Sequence, residues 1–160
     1  SCPCCQPMEH INWMRETVTT KNVTWANLFV NSNYDFFVNN AFPEFNNWDG
    51  KVILFANEVG INKKLPFRVD EYVGVKLPAW KNGELDRLIN VGNELADRDS
   101  NQLFLFSAGP VGNILSFLLF SNNKNNTYLD IGSTTNRWIV GNNRGYLRNN
   151  NRKTCIWITA

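Results

Sequence analysis

With 160 residues, 43% of them hydrophobic and 13% aromatic, the chain lies far from the low-hydrophobicity, high-charge regime of disordered proteins. It is sized for a single domain, residues 1–160, built on one core. Its 16 basic and 14 acidic residues leave a net charge of +2, too weak a field to draw in nucleic acid or an anionic membrane.

No apolar run reaches the roughly 20 residues that span a bilayer, and no basic-then-apolar leader opens the sequence. A cytoplasmic protein without a membrane span is expected. The start at Ser1 rather than Met fits a fragment of a longer protein. Cys2, Cys4 and Cys5 crowd into "CPCC" and Cys155 lies near the other end, which is not the spaced framework of a small disulfide-rich domain. Zinc sites usually space their sulfurs by two to four residues. Free or buried thiols in a reducing compartment are therefore expected, with a metal site formed by these thiolates and His10 as the alternative. The sequons at Asn22 and Asn125 would matter only in a secreted protein. Runs such as "NNKNN" and "RNNNR" read as compositional bias of residues that favour caps and turns.

In chain order, Thr24 caps a helical turn "WANLF" with Trp25, Leu28 and Phe29 on one face. Asn33 opens a second short helical pattern carrying Phe36, Phe37 and Phe42, which Pro43 is expected to close. After the turn at Asp49-Gly50, the unbroken apolar run Val52–Ala56 predicts a strand covered on both faces. "YVGVK" reads as a short strand between prolines. "GELDRLINVGNELADR" reads as an amphipathic helix with Leu85, Leu88, Ile89 and Leu95 inward. "LFLFSAGPVGNIL" runs from a strand through a Ser-Ala-Gly-Pro turn into a helix from about Val111 to Phe120. "TYLDIG" is a further strand, and "TCIWIT" a candidate edge strand. The order strand, strand, helix, strand, helix, strand predicts an α/β domain: a Rossmann-like three-layer sandwich with a mostly parallel sheet and flanking helices.

Ligands of open parallel sheets collect at the carboxyl ends of the strands. Three such ends are legible: "FANE" with Asn57 and Glu58, "FSAGP" with Ser107 and Gly109, and "LDIGS" with Asp130, Gly132 and Ser133. Helix N-termini carry unpaired N–H groups and partial positive charge, so the turn before Pro110 can face a phosphate; it can equally be a packed strand-to-helix corner. Neither a G-x-G-x-x-G fingerprint nor a phosphate loop ending in G-K-[ST] occurs. Asp130 reads either as a local turn cap or as a ribose, sugar or metal contact. Asp97-Arg98-Asp99 has the D-x-D form but sits at a polar helix exit, as a solvated charge cluster would. Arg137, Arg144, Arg148, Arg152 and Lys153 lie among Asn and Gly, where guanidinium forks can clamp diphosphate. With one histidine, no Ser-His-Asp or Cys-His hydrolase is legible.

The stretch "FLFSAGPVGNIL…KNNTYLDIGSTTNRWIVGNNRGYLR" resembles the GT-D type glycosyltransferases and their bacterial and large-DNA-virus relatives, in which a strand, an "SAGP"-like turn and a helix precede a strand ending in "DIG". Ser107, Ala108, Gly109 and Pro110 match the turn. Asp130, Gly132 and Ser133 match the second strand end, and Gly141, Arg144 and Tyr146 match the closing stretch. "TWANLFVNSNY" is similar to a Trp-Asn helix upstream of the first strand. The D-x-E motif of that family is absent, with Asn136 at the acidic position, as is its N-terminal Gly-Asp-Gly-Glu segment.

The resemblance implies a nucleotide-sugar-dependent glycosyltransferase, or a truncated or divergent domain of one, transferring sugar to a glycan acceptor hydroxyl. It implies Asp130 as a catalytic residue that also holds a divalent Mn or Mg; Glu58, at the end of the first strand, is the nearest acidic candidate for a catalytic base or acceptor contact, with loop surface as the alternative. Ser107, Gly109, Asn113, Gly132, Ser133, Arg144, Tyr146 and Asn57 would then bind the nucleotide diphosphate sugar. The alternatives are a non-catalytic Rossmann-like nucleotide-binding or interaction module and a methyltransferase-like domain using S-adenosylmethionine.

Overall fold

A computed structural model describes residues 8–17, 29–30, 33–81, 83–141 and 144–148. The expected turn at Trp25 and Leu28, the strand "TCIWIT", the four cysteines, Arg152 and Lys153 lie outside the described residues, as does the side chain of His10.

Strands β1 (Val52–Asn57), β2 (Glu71–Val75), β3 (Leu103–Ser107) and β4 (Thr127–Asp130) form an all-parallel sheet in the order β2-β1-β3-β4. Ile53 stands opposite Glu71 on one side and Phe104 on the other, and Phe106 stands opposite Asp130. The helices are α1 (Met8–Thr17), α2 (Tyr34–Asn46), α3 (Glu84–Arg98), α4 (Pro110–Asn122) and the short α5 (Asn136–Ile139) and α6 (Gly145–Arg148). The chain is thus an α/β, Rossmann-like sandwich, as its element order predicts.

The unbroken apolar runs produce this layering because side chains alternate along a strand. Ile53, Phe55, Phe104 and Phe106 point to one face and pack with Leu88, Leu95, Leu115 and Leu119 of α3 and α4. Val52, Leu54, Leu103 and Leu105 point to the other and pack with Phe37, Phe42 and Phe45 of α2 and with Phe67. Each fully buried Phe or Leu contributes about 1.5–3 kcal/mol.

One expectation about α2 is corrected. Pro43 does not close the helix but lies within it. Tyr34, Phe37, Phe42 and Phe45 make an apolar stripe at helical spacing across the proline, and its burial outweighs the lost backbone bond. Phe36 is 73% exposed, because at 3.6 residues per turn it falls about half a turn from the centre of that stripe. The turn at Gly50 is required sterically: a Cβ there would lie 1.9 Å from the Asn101 carbonyl oxygen, where the approaches to β1 and β3 touch.

Candidate functional site

The first crossover runs from β1 to β2 on one side, and the next returns from β2 past β1 to β3 on the other. The switch point of this doubly wound sheet therefore falls between the carboxyl ends of β1 and β3, where such sheets hold ligands. A groove of about 320 Å³ opens there. Its floor is Asn57, Val75 and Ser107, the last residues of β1, β2 and β3. One wall is the segment Leu77–Trp80; the other is Ala108–Val111, entering α4. Asn136, Val140 and Arg144 close the remaining side.

The start of α4 follows from its sequence. Gly109 adopts φ 60° and ψ −147°, a region that only glycine occupies readily. Pro110 brings a fixed φ and no N–H to the first turn. The Gly112 N–H is taken by the Gly109 carbonyl at 2.9 Å, so the first-turn donor at the groove is the Val111 N–H. Arg144, exposed at the groove's edge, makes no ion pair among the described residues. Asn57 accepts from the Val59 N–H through Oδ1 at 3.1 Å, which leaves its NH₂ group as the part able to donate inward. Its carbonyl accepts from the Tyr72 hydroxyl at 2.6 Å, and burial pushes that phenol up to about 12.

The Leu77–Trp80 wall is fixed by a contact the sequence reading missed. Glu84, the buried first residue of α3, accepts from the Lys76 N–H at 2.8 Å and from Arg87 Nε and Nη2 at 2.9 and 2.7 Å. Arg87 Nη2 also donates to the Gly74 carbonyl at 2.6 Å. Hydrogen bonding from Arg87 holds the Glu84 carboxyl below its ordinary range. Its only legible signal was the Glu-x-x-Arg spacing, which in a helix is normally a surface pair.

The predicted residues divide. Asn57, Ser107, Gly109 and Arg144 meet in the groove, joined by Asn136, which had been read only as a missing acid. Asn113 is exposed on α4, outside the lining, and Glu58 is exposed on the turn after β1. Asp130, Gly132 and Ser133 form the turn after β4, outside the lining, and Tyr146 of α6 bonds to that turn.

In that turn three consecutive carbonyls each accept a hydroxyl from a different element. Ser107 Oγ donates to Gly132 O at 2.6 Å, Tyr146 Oη to Ser133 O at 3.0 Å, and Tyr34 Oη to Thr134 O at 3.2 Å. The Thr135 hydroxyl donates to Ser107 Oγ at 2.6 Å. Asp130 Oδ1 accepts from the Gly132 N–H at 2.8 Å, the turn-capping role, while burial raises its carboxyl above the usual range. Asp130 also lies against Gly112, where an added Cβ would come within 3.3 Å of Oδ2.

A divalent metal needs several oxygen ligands. Among the described residues no three His, Cys, Asp or Glu side chains gather, and one Asp130 oxygen already serves the turn, so the side chains around Asp130 do not fit the implied cation. No helix of the described residues is long and apolar enough to cross a membrane. A second groove, of about 500 Å³ beside Phe36, Phe37 and Leu129, is almost wholly apolar and lacks the converging polar groups of a specific small-molecule site. Comparison with protein-family models, with curated proteins and with solved structures finds no match for this chain.

Proposed function

We propose that the switch-point groove binds a nucleoside diphosphate, the leaving half of a nucleotide sugar. The observation that carries this is the presence in one groove of Arg144, without an ion-pair partner among the described residues, and the first turn of α4. A guanidinium and a helix N-terminus are both donors suited to phosphate oxygens. The same groove offers Trp80 and Leu77 as apolar surface for a base, and the carboxamides of Asn57 and Asn136 for its edge.

Transfer of the sugar to an acceptor hydroxyl, the finer reading, rests on the sequence resemblance alone. It requires a base near that hydroxyl, and among the described residues no carboxylate lines the groove. Asp130 and Glu58 are the candidates for that step, each from outside the lining.

The test is thermal stability against uridine, guanosine and adenosine diphosphates, their sugar conjugates and S-adenosylmethionine, with and without manganese. A ligand of the folded state at 100 times its Kd adds about 2.7 kcal/mol. A nucleoside diphosphate is expected to raise the midpoint in the parent and not in Arg144→Ala. Silence across the panel from a folded protein, or a shift that survives Arg144→Ala, overturns the proposal. Product formation from a nucleotide sugar that Asp130→Asn abolishes without loss of binding would extend it to catalysis.

A further inference from the structure

Arg144 sits on no long element. Gly141, at φ 84°, ends the path from α5, and α6 that follows is a single turn, Gly145–Arg148, whose Leu147 N–H bonds back to the Arg144 carbonyl at 3.0 Å. Tyr146, outside the groove lining, contacts α2 and the turn after β4. Its ring lies against that of Tyr34 with centroids 5.2 Å apart. Its hydroxyl donates to the Ser133 carbonyl and stands 2.7 Å from Ser133 Oγ. The two hydroxyls bond each other, either one able to donate, so that Tyr146 meets both the side chain and the carbonyl of Ser133.

We infer that Tyr146 is a positioning residue: its clasp on Ser133 and Tyr34 fixes α6 and so holds Arg144, two residues earlier, at the groove. This inference rests on the nucleotide-binding proposal for its purpose, though not for its geometry. It gives Tyr146 and Ser133 a role different from direct ligand contact, since neither lines the groove and their hydroxyls bond each other and the turn. A phosphate-binding guanidinium on a loose arm would lose affinity to the cost of ordering that arm on binding.

Two measurements on the full chain separate the inference from that proposal. The first needs no ligand: trypsin cleavage after Arg144, followed by mass spectrometry and normalised to cleavage after Arg98. Removing one hydroxyl in Tyr146→Phe should speed cleavage after Arg144 by about fivefold, the effect of one hydrogen bond, and Ser133→Ala should do the same. An unchanged ratio, or equal acceleration at both sites, overturns the inference whatever the groove binds. The second is a double-mutant cycle with pyrophosphate as the probe. Tyr146→Phe should weaken pyrophosphate about fivefold in the parent and not at all on the Arg144→Ala background. Equal weakening on both backgrounds would mean that the tyrosine does not act through Arg144. A parent that keeps the trypsin ratio but fails to bind pyrophosphate would refute the nucleotide proposal and leave the clasp standing.

Discussion

The Ser107 hydroxyl, at the end of β3, donates to the Gly132 carbonyl across the mouth of the sheet at 2.6 Å and accepts from the buried Thr135 hydroxyl at the same distance. A serine that reads in sequence as a phosphate ligand is thus also a strut between β3 and the turn after β4. Ser107→Ala removes the acceptor of a fully buried threonine hydroxyl. It is expected to cost about 1–3 kcal/mol in urea denaturation, and a loss of ligand affinity at unchanged stability would be the contrary result.

Gly109→Ala separates space from backbone conformation. Nothing lies within 4 Å of a Cβ built there, so no collision is expected. With φ at 60° and ψ at −147°, an alanine should still destabilise by about 1–3 kcal/mol, read as a lower denaturation midpoint with an unchanged slope. A neutral substitution would mean that the α4 start tolerates a different path.

The fold was legible where one chemical pattern dominated a whole element. Val52–Ala56 and Leu103–Phe106 are apolar without alternation, and only a strand covered on both faces satisfies that run. α3 declared itself through Leu88 and Leu95. Pro43 misled because its local effect was weighed without the Phe37–Phe45 stripe that overrides it. In the site, the turn at Gly109 could be anticipated from a strand end, whereas Arg144 is singled out by the basic Asn- and Gly-rich stretch and the family resemblance. The mutual satisfaction of Ser133 and Tyr146 could not be anticipated, since it depends on α6 folding back across the turn. Nor could the Glu84–Arg87 fork, whose burial is set by β2.

Glu84 gives an acid-side prediction. Its carboxyl is held below the ordinary value of 4.5 in the folded chain, so its stabilisation is complete above about pH 4.5 and fades as pH falls through the lower folded-state value. Glu84→Ala should cost about 2 kcal/mol at pH 7, with the difference from the parent narrowing as both are titrated into acid. A constant difference across that range would assign the loss to packing instead.

Asp130 has the opposite sign. Burial raises its carboxyl above the ordinary 3.8, so the folded state favours the protonated form and is penalised as pH rises through the folded-state value. Asp130→Asn keeps an acceptor for the Gly132 N–H. It is expected to raise the thermal midpoint at pH 7, with the gain shrinking as pH falls toward 3.8. A midpoint lowered at pH 7 would show instead that the charge stabilises the turn.

The three hydroxyl-capped carbonyls at residues 132–134 also bear on the order in which the molecule assembles. Their donors arrive from β3, α6 and α2, and the Tyr34–Thr134 bond closes a separation of 100 residues. A contact so distant in sequence repays the entropy of chain closure only after the intervening strands have paired. That bond is therefore expected late in folding, and the side of the groove that carries Asn136, Val140 and Arg144 is expected to take shape only once α2 and α6 have converged on the turn.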